Sequence, residues 1–341
     1  MECKSDMGTA ERRGFRYRPF NIVLEITRKC NMSCVHCCVD NADAPELQTR
    51  DIKRFLDEAA ALGSLKVKIG GGEPFTRKDC MSIIEYAREL DLAVSVFTNA
   101  SLIDRHIAGQ LRDLKVYIIN VSIYGSIPRI HDNITGIKGS FDALQRGIDC
   151  LLEAGISPYL SMVIMKENYN DLDNVMKLVR EKTGREPKFT TEIFPKYNHG
   201  LSPIRHRISD TELEEFYNLH IADKRFLNIG TFDSGLSCNA ATFGCFVSAC
   251  GDVFACASLR VKGGNIMSGS FNDIWHGKAF ERLRVLTMED FPLCKDCELL
   301  PGCPRCLGLS FLEYRDYTLP HPRICLRSRI FDRLSKEKII K

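Results

Sequence analysis

The sequence predicts an α/β fold: a partial (β/α)6 parallel barrel followed by a small, cysteine-rich C-terminal domain. Two observations support this. Short β-rich runs alternate with amphipathic helical patterns over residues 20–195, and nine of the 16 cysteines lie within residues 238–325. Repeated βα units require a parallel sheet with helices outside it. Six such units are too few for a closed eight-stranded barrel, so we expect an open one.

Six β-rich runs define the predicted barrel. They are residues 20–27, 65–69, 92–97, 116–121, 159–164 and 189–194. Each is followed by apolar residues at helical spacing, as in Ile52, Phe55, Leu56 and Ala59 after the first run. The last predicted helix, around residues 210–221, follows a loop rich in Pro, Gly and His.

The changes in sequence pattern predict five segments. They are an N-terminal extension over 1–19, the barrel over 20–195, a connecting loop and helix over 196–235, the cysteine-rich domain over 236–330 and a tail over 331–341. The cysteine-rich segment has little periodicity, so we expect it to depend on bound metal to fold.

The composition argues against several partners. A formal net charge of +3 on 341 residues is too small to predict nucleic acid or an anionic membrane as the main partner. No apolar run approaches the ~20 residues that span a bilayer. The first residues lack the apolar region of a secretory signal, so we expect a cytoplasmic protein. Disulfides are rare in that compartment, and clustered cysteines there indicate metal centres.

The loop after the first β-rich run carries Cys30, Cys34 and Cys37 at a C-x3-C-x2-C spacing. This spacing allows three thiolates to surround one metal centre. Structural zinc takes four ligands, and iron–sulfur clusters normally take four cysteines. Three ligands therefore leave one position open for catalysis. We expect the adjacent Cys38 to point elsewhere.

Polar residues and glycines stand at the carboxyl ends of the next three runs, where parallel βα sheets bind ligands. Residues 70–74 read Gly-Gly-Gly-Glu-Pro, Asn99 follows the third run and Ser122 the fourth. Glycines let the backbone approach a ligand closely, and the carboxylate of Glu73 can pair with a ligand ammonium. Alone, this turn is a weak signal. It becomes a strong one because it lies one βα unit after the cysteine loop.

The two motifs together resemble the signature of radical S-adenosylmethionine (SAM) enzymes, and the resemblance covers the chain from residue 20 onward. It implies that the three loop cysteines hold a [4Fe–4S] cluster whose fourth iron binds SAM. The SAM contacts that it implies are Gly71, Gly72, Glu73 and Pro74 at the methionine amino group, His36 near the adenine, and Asn99 and Ser122 as positioning residues. Such enzymes cleave SAM reductively to a 5′-deoxyadenosyl radical, which takes hydrogen from an unactivated carbon.

One position departs from that family's pattern. Many members carry an arginine shortly after a His-Asp pair that follows the fourth strand, where it meets the SAM carboxylate. Here His131 and Asp132 are followed by Thr135 at that place. Another group must therefore neutralise the carboxylate, and the sequence does not identify it.

A second cysteine array follows the barrel. It reads Cys238-x6-Cys245-x10-Cys256, then Cys294-x2-Cys297-x5-Cys303-x2-Cys306, and ends at Cys325. Paired C-x2-C motifs also suit a zinc ribbon, which remains an alternative. Eight thiolates are twice what one site needs, so two four-cysteine clusters fit the array better.

This array resembles the SPASM extension of radical SAM enzymes, which binds two auxiliary [4Fe–4S] clusters. The segments 264–266 (Gly-Asn-Ile) and 274–275 (Ile-Trp) also fit that pattern. The resemblance implies Cys238, Cys245, Cys256 and Cys306 as ligands of the first cluster, and Cys294, Cys297, Cys303 and Cys325 as ligands of the second. The Cys303–Cys306 spacing is one residue shorter than usual, which leaves the role of Cys306 open. Cys250 is either a substitute ligand or a spare thiol.

The resemblance implies an oxidoreductase that modifies a ribosomally made peptide or a protein, by crosslinking or another oxidative maturation. The alternatives are a small-molecule dehydrogenase or epimerase, a tetrapyrrole side-chain oxidase, and a non-catalytic metal-binding scaffold. A reducing partner such as flavodoxin or ferredoxin is implied. The segment before the first strand is short, so we expect any leader-peptide-binding protein to be a separate chain.

No acid/base pair stands out, and the sequence leaves the catalytic residues unassigned. Four side chains could face either the cavity or solvent: Tyr124, Glu192, His199 and Asp252.

Overall fold

A computed structural model describes residues 17–39, 45–220 and 238–337. Most of the predicted N-terminal extension, residues 221–235 of the predicted connecting segment and the last four residues of the tail lie outside the described residues.

Six parallel strands form the larger part of the sheet. They are β1 (Asn21–Thr27), β2 (Lys66–Gly71), β3 (Ala93–Thr98), β4 (Ile118–Ser122), β5 (Tyr159–Val163) and β6 (Lys188–Thr190). Neighbours in sequence are neighbours in space, as in the pairs Ile22–Val67 and Val67–Val94. The predicted α/β class with a mostly parallel sheet is confirmed. The sheet has two free ends, so it is open as expected.

Helices separate these strands and cover one face of the sheet. They are α1 (Thr49–Ala61), α2 (Cys80–Glu89), α3 (Arg105–Asp113), α4 (Pro128–Thr135), α5 (Ser140–Glu153), α6 (Leu172–Thr183) and α7 (Asp210–His220). The apolar residues of α1, Ile52, Phe55, Leu56 and Ala59, are fully buried, as their spacing predicts. Two helices, α4 and α5, lie between β4 and β5 where we expected one.

The strands alternate between an apolar outer side and a polar inner side. In β2, Val67 and Ile69 are fully buried in the core, whereas Lys66 and Lys68 point the other way. Successive strand residues face opposite sides of a sheet. The helices therefore cover the apolar side, and polar side chains line the inside of the curved sheet.

The cysteine-rich segment extends the sheet with three more strands. They are β7 (Gly244–Val247), β8 (Asp252–Phe254) and β9 (Lys262–Asn265). β7 pairs with β1 in parallel, and β8 and β9 continue antiparallel. The strand order is β6-β5-β4-β3-β2-β1-β7-β8-β9, so β1 lies inside the sheet. We expected six strands. The low periodicity of the cysteine-rich segment hid these three, because each has only three or four residues.

Four C-terminal helices complete the described fold: α8 (Phe271–Trp275), α9 (Lys278–Arg284), α10 (Leu307–Tyr314) and α11 (Pro322–Lys336). Helix α8 packs on α1, where the rings of Phe55 and Phe271 lie 5.0 Å apart. Trp275 is fully buried, and its Nε1 donates a hydrogen bond to the Tyr17 carbonyl oxygen at 2.9 Å. These contacts join the C-terminal segment to the first helix of the barrel.

A matched pair of glycines tests the packing of the helical layer. A Cβ on Gly147 in α5 would lie 2.0 Å from the Ala100 carbonyl oxygen, so Gly147→Ala must move the helix. We expect that variant to lose about 2 kcal/mol of unfolding free energy. In α3, a Cβ on Gly109 would have no atom of the described residues within 4 Å. Gly109→Ala should therefore gain about 0.5 kcal/mol through helix propensity.

Thermal unfolding of the two variants, purified anaerobically with the wild type, measures the difference. Equal unfolding temperatures for both variants would contradict the close contact between α5 and the loop after β3.

Candidate cofactor and active site

The cysteine loop lies at the carboxyl edge of the sheet, directly after β1. Its backbone is held by the end of α4, because Ser33 and Val35 donate to the carbonyl oxygens of Thr135 and Ile134 at 2.9 and 3.0 Å. The thiols of Cys30, Cys34 and Cys37 are partly buried and interact electrostatically with one another. Burial, followed by repulsion from the other two thiols, raises the pKa of Cys34 to about 12.

This donor set suits an iron–sulfur cluster better than a single metal ion. Within the described ranges, no three His, Cys, Asp or Glu residues come close enough to hold one ion. A cubane cluster binds one thiolate at each iron, so its ligands are spread over several corners. Three neighbouring thiols in one loop match that chemistry.

A cavity of about 560 Å³ opens above the loop. It brings together many of the residues that the sequence singled out. Those that line it are Cys30, Cys34, Cys37, His36, Gly71, Gly72, Asn99 and Ser122. The cavity also reaches Glu192 and Ile193 beyond β6, so it extends along the carboxyl edge of the sheet from β1 to β6.

The glycine turn after β2 is shaped by the cysteine loop. A Cβ on Gly71 would lie 2.0 Å from the Thr27 carbonyl oxygen, and one on Gly72 would lie 2.2 Å from that of Lys29. Gly71 also has a φ of +141°, which favours glycine. Gly72 and Glu73 donate backbone hydrogen bonds to Thr27 and Lys29 at 2.9 and 2.8 Å. These two glycines let the two backbone segments meet, and they also line the cavity. Their predicted contact with the methionine end of SAM stays a prediction.

Glu73 is fully buried and fixes the turn from below. Its Oε1 accepts hydrogen bonds from the Thr98 hydroxyl at 2.8 Å and from the Phe75 amide at 3.2 Å. Its Oε2 accepts from the Asn99 amide at 2.7 Å. Burial raises the pKa of this carboxyl to about 7. The carboxylate ties the end of β3 to the turn, and Pro74 beside it is also buried.

Asn99 links the glycine turn to the cysteine loop. Its Nδ2 donates to Asn31 Oδ1 at 2.9 Å, next to Cys30, and its Oδ1 accepts from the Ser101 amide at 2.9 Å. Because the backbone of Asn99 is held by Glu73, its side chain has one defined position at the cavity wall.

His36 and Tyr124 form an aromatic corner of the cavity. Their ring centroids lie 4.8 Å apart, edge to face. Burial, followed by repulsion from His206, lowers the pKa of His36 to about 4, so the imidazole is neutral. Its Nδ1 is buried without a hydrogen-bond partner among the described residues. A buried, unpaired ring nitrogen beside an aromatic face fits a planar heterocycle such as adenine.

The residues around Thr135 are structural. Thr135 is fully buried, and its hydroxyl lies 2.6 Å from that of Ser140. Asp132 accepts from the Gly139 and Phe141 amides at the start of α5. Thr135 therefore points away from the cavity and does not replace the missing arginine. Two cations that line the cavity, Arg28 and Lys196, were not singled out from the sequence.

Of the four side chains that the sequence could not assign to the cavity or to solvent, two line the cavity and two do not. Tyr124 and Glu192 line the cavity. Asp252 forms an ion pair with Lys262 at 2.6 Å, and His199 Nδ1 lies 3.0 Å from the Leu312 carbonyl oxygen. Sequence position could not separate them, because all four occur near strand ends or in loops.

The C-terminal cysteines form two groups. Cys325 is close enough to Cys303, Cys294 and Cys297 for all three to raise its pKa after the effect of burial. Cys238 is affected in the same way by Cys256 and Cys306, and its pKa is raised to about 12. Cys306 thus lies with Cys238 and Cys256, although its spacing from Cys303 is one residue shorter than usual. The ligand sets as a whole stay predictions.

The fourth member of the first group depends on the β7–β8 hairpin. Burial raises the pKa of Cys245, and its one charged neighbour given by the structure is Arg284. Because β7 and β8 are antiparallel, Cys245 near the start of β7 and Cys256 after β8 lie at the same edge of the hairpin. Cys250 lies in the turn at the opposite edge, near Arg28 and Glu25.

Comparison with known proteins finds one family match in the barrel and another in the cysteine-rich segment. Residues 24–179 match the family model of the radical SAM superfamily, and residues 238–298 match the SPASM model, described as an iron–sulfur cluster-binding domain. The chain belongs to the radical SAM superfamily. It carries a SPASM domain at its C-terminal end.

Relatives match over almost the whole of this radical SAM chain. AdoMet-dependent heme synthase of Methanosarcina barkeri is 29% identical over 338 residues, covering 89% of this chain and 95% of that protein. Mycofactocin maturase MftC of Mycolicibacterium smegmatis is 27% identical over 342 residues, covering 94% and 86%. The structure of Streptococcus suis SuiB bound to S-adenosylmethionine shares the fold, with a TM-score of 0.73, 18% identity and coverage of 93% of this chain and 79% of that chain.

The cofactors follow from the two domains. They are SAM, a [4Fe–4S] cluster bound by three cysteines, and auxiliary [4Fe–4S] clusters in the SPASM domain. The protein is an enzyme of the radical SAM class with oxidative chemistry. Within the described residues, no helix is both long and apolar enough to cross a bilayer.

Removing the Glu73 carboxylate tests its positioning role. Glu73→Ala leaves the Asn99 amide and the Thr98 hydroxyl without their acceptor, so the glycine turn and Asn99 lose their fixed position. We expect SAM to bind about tenfold more weakly to the cluster-loaded protein. Equilibrium dialysis with labelled SAM measures this. Glu89→Ala, at an exposed carboxylate on α2, is the control, and unchanged SAM affinity in Glu73→Ala would contradict the role.

The hairpin geometry predicts which cysteine completes the first auxiliary site. Cys245→Ser should lower the iron content by about 4 of about 12 irons per chain, whereas Cys250→Ser should leave it unchanged. Iron and sulfide assays on anaerobically reconstituted protein give both numbers. The reverse result would assign the fourth ligand to Cys250.

Proposed function

We propose that this enzyme uses its SAM-derived radical to take hydrogen from a ribosomally made peptide or a protein and completes an oxidative maturation, such as a crosslink. The observation that carries the proposal is the cavity at the carboxyl edge, where the three-cysteine loop, the glycine turn and the aromatic corner meet. The match to a mycofactocin maturase over 94% of this chain supports a peptide substrate.

Each ligand set is part of this proposal. Cys30, Cys34 and Cys37 would hold the cluster that binds SAM, and the two C-terminal groups would hold the auxiliary clusters. When bound, SAM and the first cluster supply the 5′-deoxyadenosyl radical, and the auxiliary clusters supply acceptors for the electron that the substrate loses.

The chain's own residues would orient SAM and exclude water. The glycine turn presents backbone groups to the methionine end, and Glu73 keeps that turn and Asn99 in place. His36 and Tyr124 would cover the adenine with an uncharged surface. Val163 and Ile193 add apolar wall on the far side, which reduces the access of water to a reactive radical.

The first auxiliary group would lie beneath the inside of the curved sheet. Burial lowers the pKa of Lys68. The charges of Lys66 and Lys188 lower it further, whereas Cys256 raises it. The inward-facing side of β2 is therefore within electrostatic reach of Cys256. This supports a substrate bound between the SAM site and the first auxiliary group.

A second candidate is side-chain oxidation of a tetrapyrrole. The match to a heme synthase that covers 95% of that relative favours it. Both candidates require a strong reductant and protection from oxygen. We therefore also propose a cytoplasmic location, a reducing partner such as flavodoxin or ferredoxin, and a separate leader-binding protein if the substrate is a peptide.

Formation of 5′-deoxyadenosine tests the proposed chemistry. The anaerobically reconstituted enzyme, given SAM and dithionite, should release 5′-deoxyadenosine. The triple variant Cys30→Ala, Cys34→Ala, Cys37→Ala should release none while keeping about 8 of about 12 irons. Chromatography of the product and an iron assay provide the two measurements. Product from the triple variant, or none from the wild type, would refute the assignment.

A further inference from the structure

Three cations lie in the wall of the cavity or directly behind it. Arg28 and Lys196 line it. Arg260 lies behind Tyr197, the residue after Lys196, and the Tyr197 amide donates to the carbonyl oxygen of the cavity residue Cys38 at 3.0 Å. We call Arg28, Lys196 and Arg260 the cationic cluster.

Arg260 is held in place by aromatic rings. Its guanidinium carbon lies 3.7 Å from the ring centre of Phe254, 4.3 Å from that of Tyr197 and 5.2 Å from that of Phe246. Its Nη1 is buried and has no hydrogen-bond acceptor among the described residues. Aromatic faces attract a cation, but they do not satisfy its N–H groups. The side chain is therefore fixed in position with donor capacity unused.

The acidic groups near the cluster are already engaged. Glu25 lies 3.5 Å from Arg28 and also accepts from the Ala249 amide at 3.0 Å, and Glu46 accepts from the Arg28 amide at 2.8 Å. Asp252 is paired with Lys262 at 2.6 Å. Glu192 is paired with Arg327 at 2.5 Å. Lys196 has no ion-pair partner within the described ranges, so the cavity wall carries a cation without a fixed counter-charge.

Arg260 lies on the inner side of the sheet. Its guanidinium contacts the rings of Phe246 and Phe254, which alternate along β7 and β8 with the core residues Val247 and Val253. Successive strand residues face opposite sides of a sheet, so Arg260 is on the side that is not covered by the apolar core.

We propose that the cationic cluster binds a carboxylate of the substrate. A planar carboxylate accepts two parallel N–H bonds from a guanidinium, and Lys196 adds a charge from the cavity wall. Binding there would fix one end of the substrate while a C–H bond lies near the SAM site. The inference rests on the proposed function, because it takes the cavity as the substrate site. The carboxylate belongs to a peptide C-terminus or to the acid arm of a tetrapyrrole.

Two pairs of probes test this with the cluster-loaded enzyme in saturating SAM. One pair is N-acetyl-alanyl-phenylalanine and its amide, and the other is iron protoporphyrin IX and its dimethyl ester. Isothermal titration gives the dissociation constants. At least one free acid should bind about tenfold more tightly than its neutral partner, as expected for a charge-assisted pair. The pair that shows the preference identifies the source of the carboxylate.

Variants assign the preference to the cluster. Arg260→Met and Lys196→Met should each abolish it, and Arg260→Lys should retain part of it. Lys188→Met is the matched control, because that ammonium lies 4.0 Å from the Tyr159 ring at the opposite edge of the sheet. If Arg260→Met does not fold, Lys196→Met still decides the outcome.

The inference is overturned if neither acid is preferred, if both variants keep the preference, or if they weaken SAM binding and leave probe binding unchanged. The last result would assign the cations to the carboxylate of SAM. Measuring 5′-deoxyadenosine on the same wild-type preparation distinguishes failure of the proposed function from failure of the carboxylate site. Failure to form it refutes the proposed function, whereas normal formation without acid preference refutes only the carboxylate site.

Discussion

The site depends on one backbone contact, between the glycine turn after β2 and the cysteine loop after β1. At Gly71 and Gly72 the two segments approach so closely that no side chain fits between them, and hydrogen bonds to Thr27 and Lys29 join them. Glu73 then extends the contact to β3 through the Asn99 amide. Three neighbouring strand ends are thereby fixed relative to the thiols. A cofactor that touches both segments would meet a surface formed before it binds, which reduces the ordering cost of binding.

The inside of the sheet has a different chemical character from its helix-covered side. The outer side is close-packed and apolar, as Val67 and Ile69 illustrate. The inner side carries charges and hydroxyls, with Lys68 near one cysteine group and the cationic cluster near the cavity. One sheet therefore gives the fold its stability on one side and its chemistry on the other. This separation follows from the two-residue repeat of a strand.

Much of this arrangement could be predicted from the sequence, and the failures have clear physical causes. The six barrel strands, the helix over Ile52–Ala59 and the three-cysteine loop carry strong local patterns, so their existence was predictable. Strands β7–β9 were missed because they are very short and because β7, which joins them to the barrel, pairs with the distant strand β1. Arg28, Lys196 and Arg260 were missed for a related reason. A cation on the surface and one beside a cavity look alike in sequence, and only the fold shows that Arg28 and Lys196 line the cavity and that Arg260 packs on aromatic rings. The role of Thr135 was likewise settled by burial, which no spacing rule reports.

The pairing of β7 with β1 affects how the chain can fold during synthesis. β1 emerges from the ribosome long before its second neighbour, β7, is made. Until then, one side of β1 presents unpaired backbone groups next to Leu24 and Ile26, which is a template for wrong pairing. Such long-range pairing is slow to form and leaves intermediates prone to aggregation. Recombinant yield of this enzyme should therefore depend on slow expression and chaperones as well as on iron and sulfide supply.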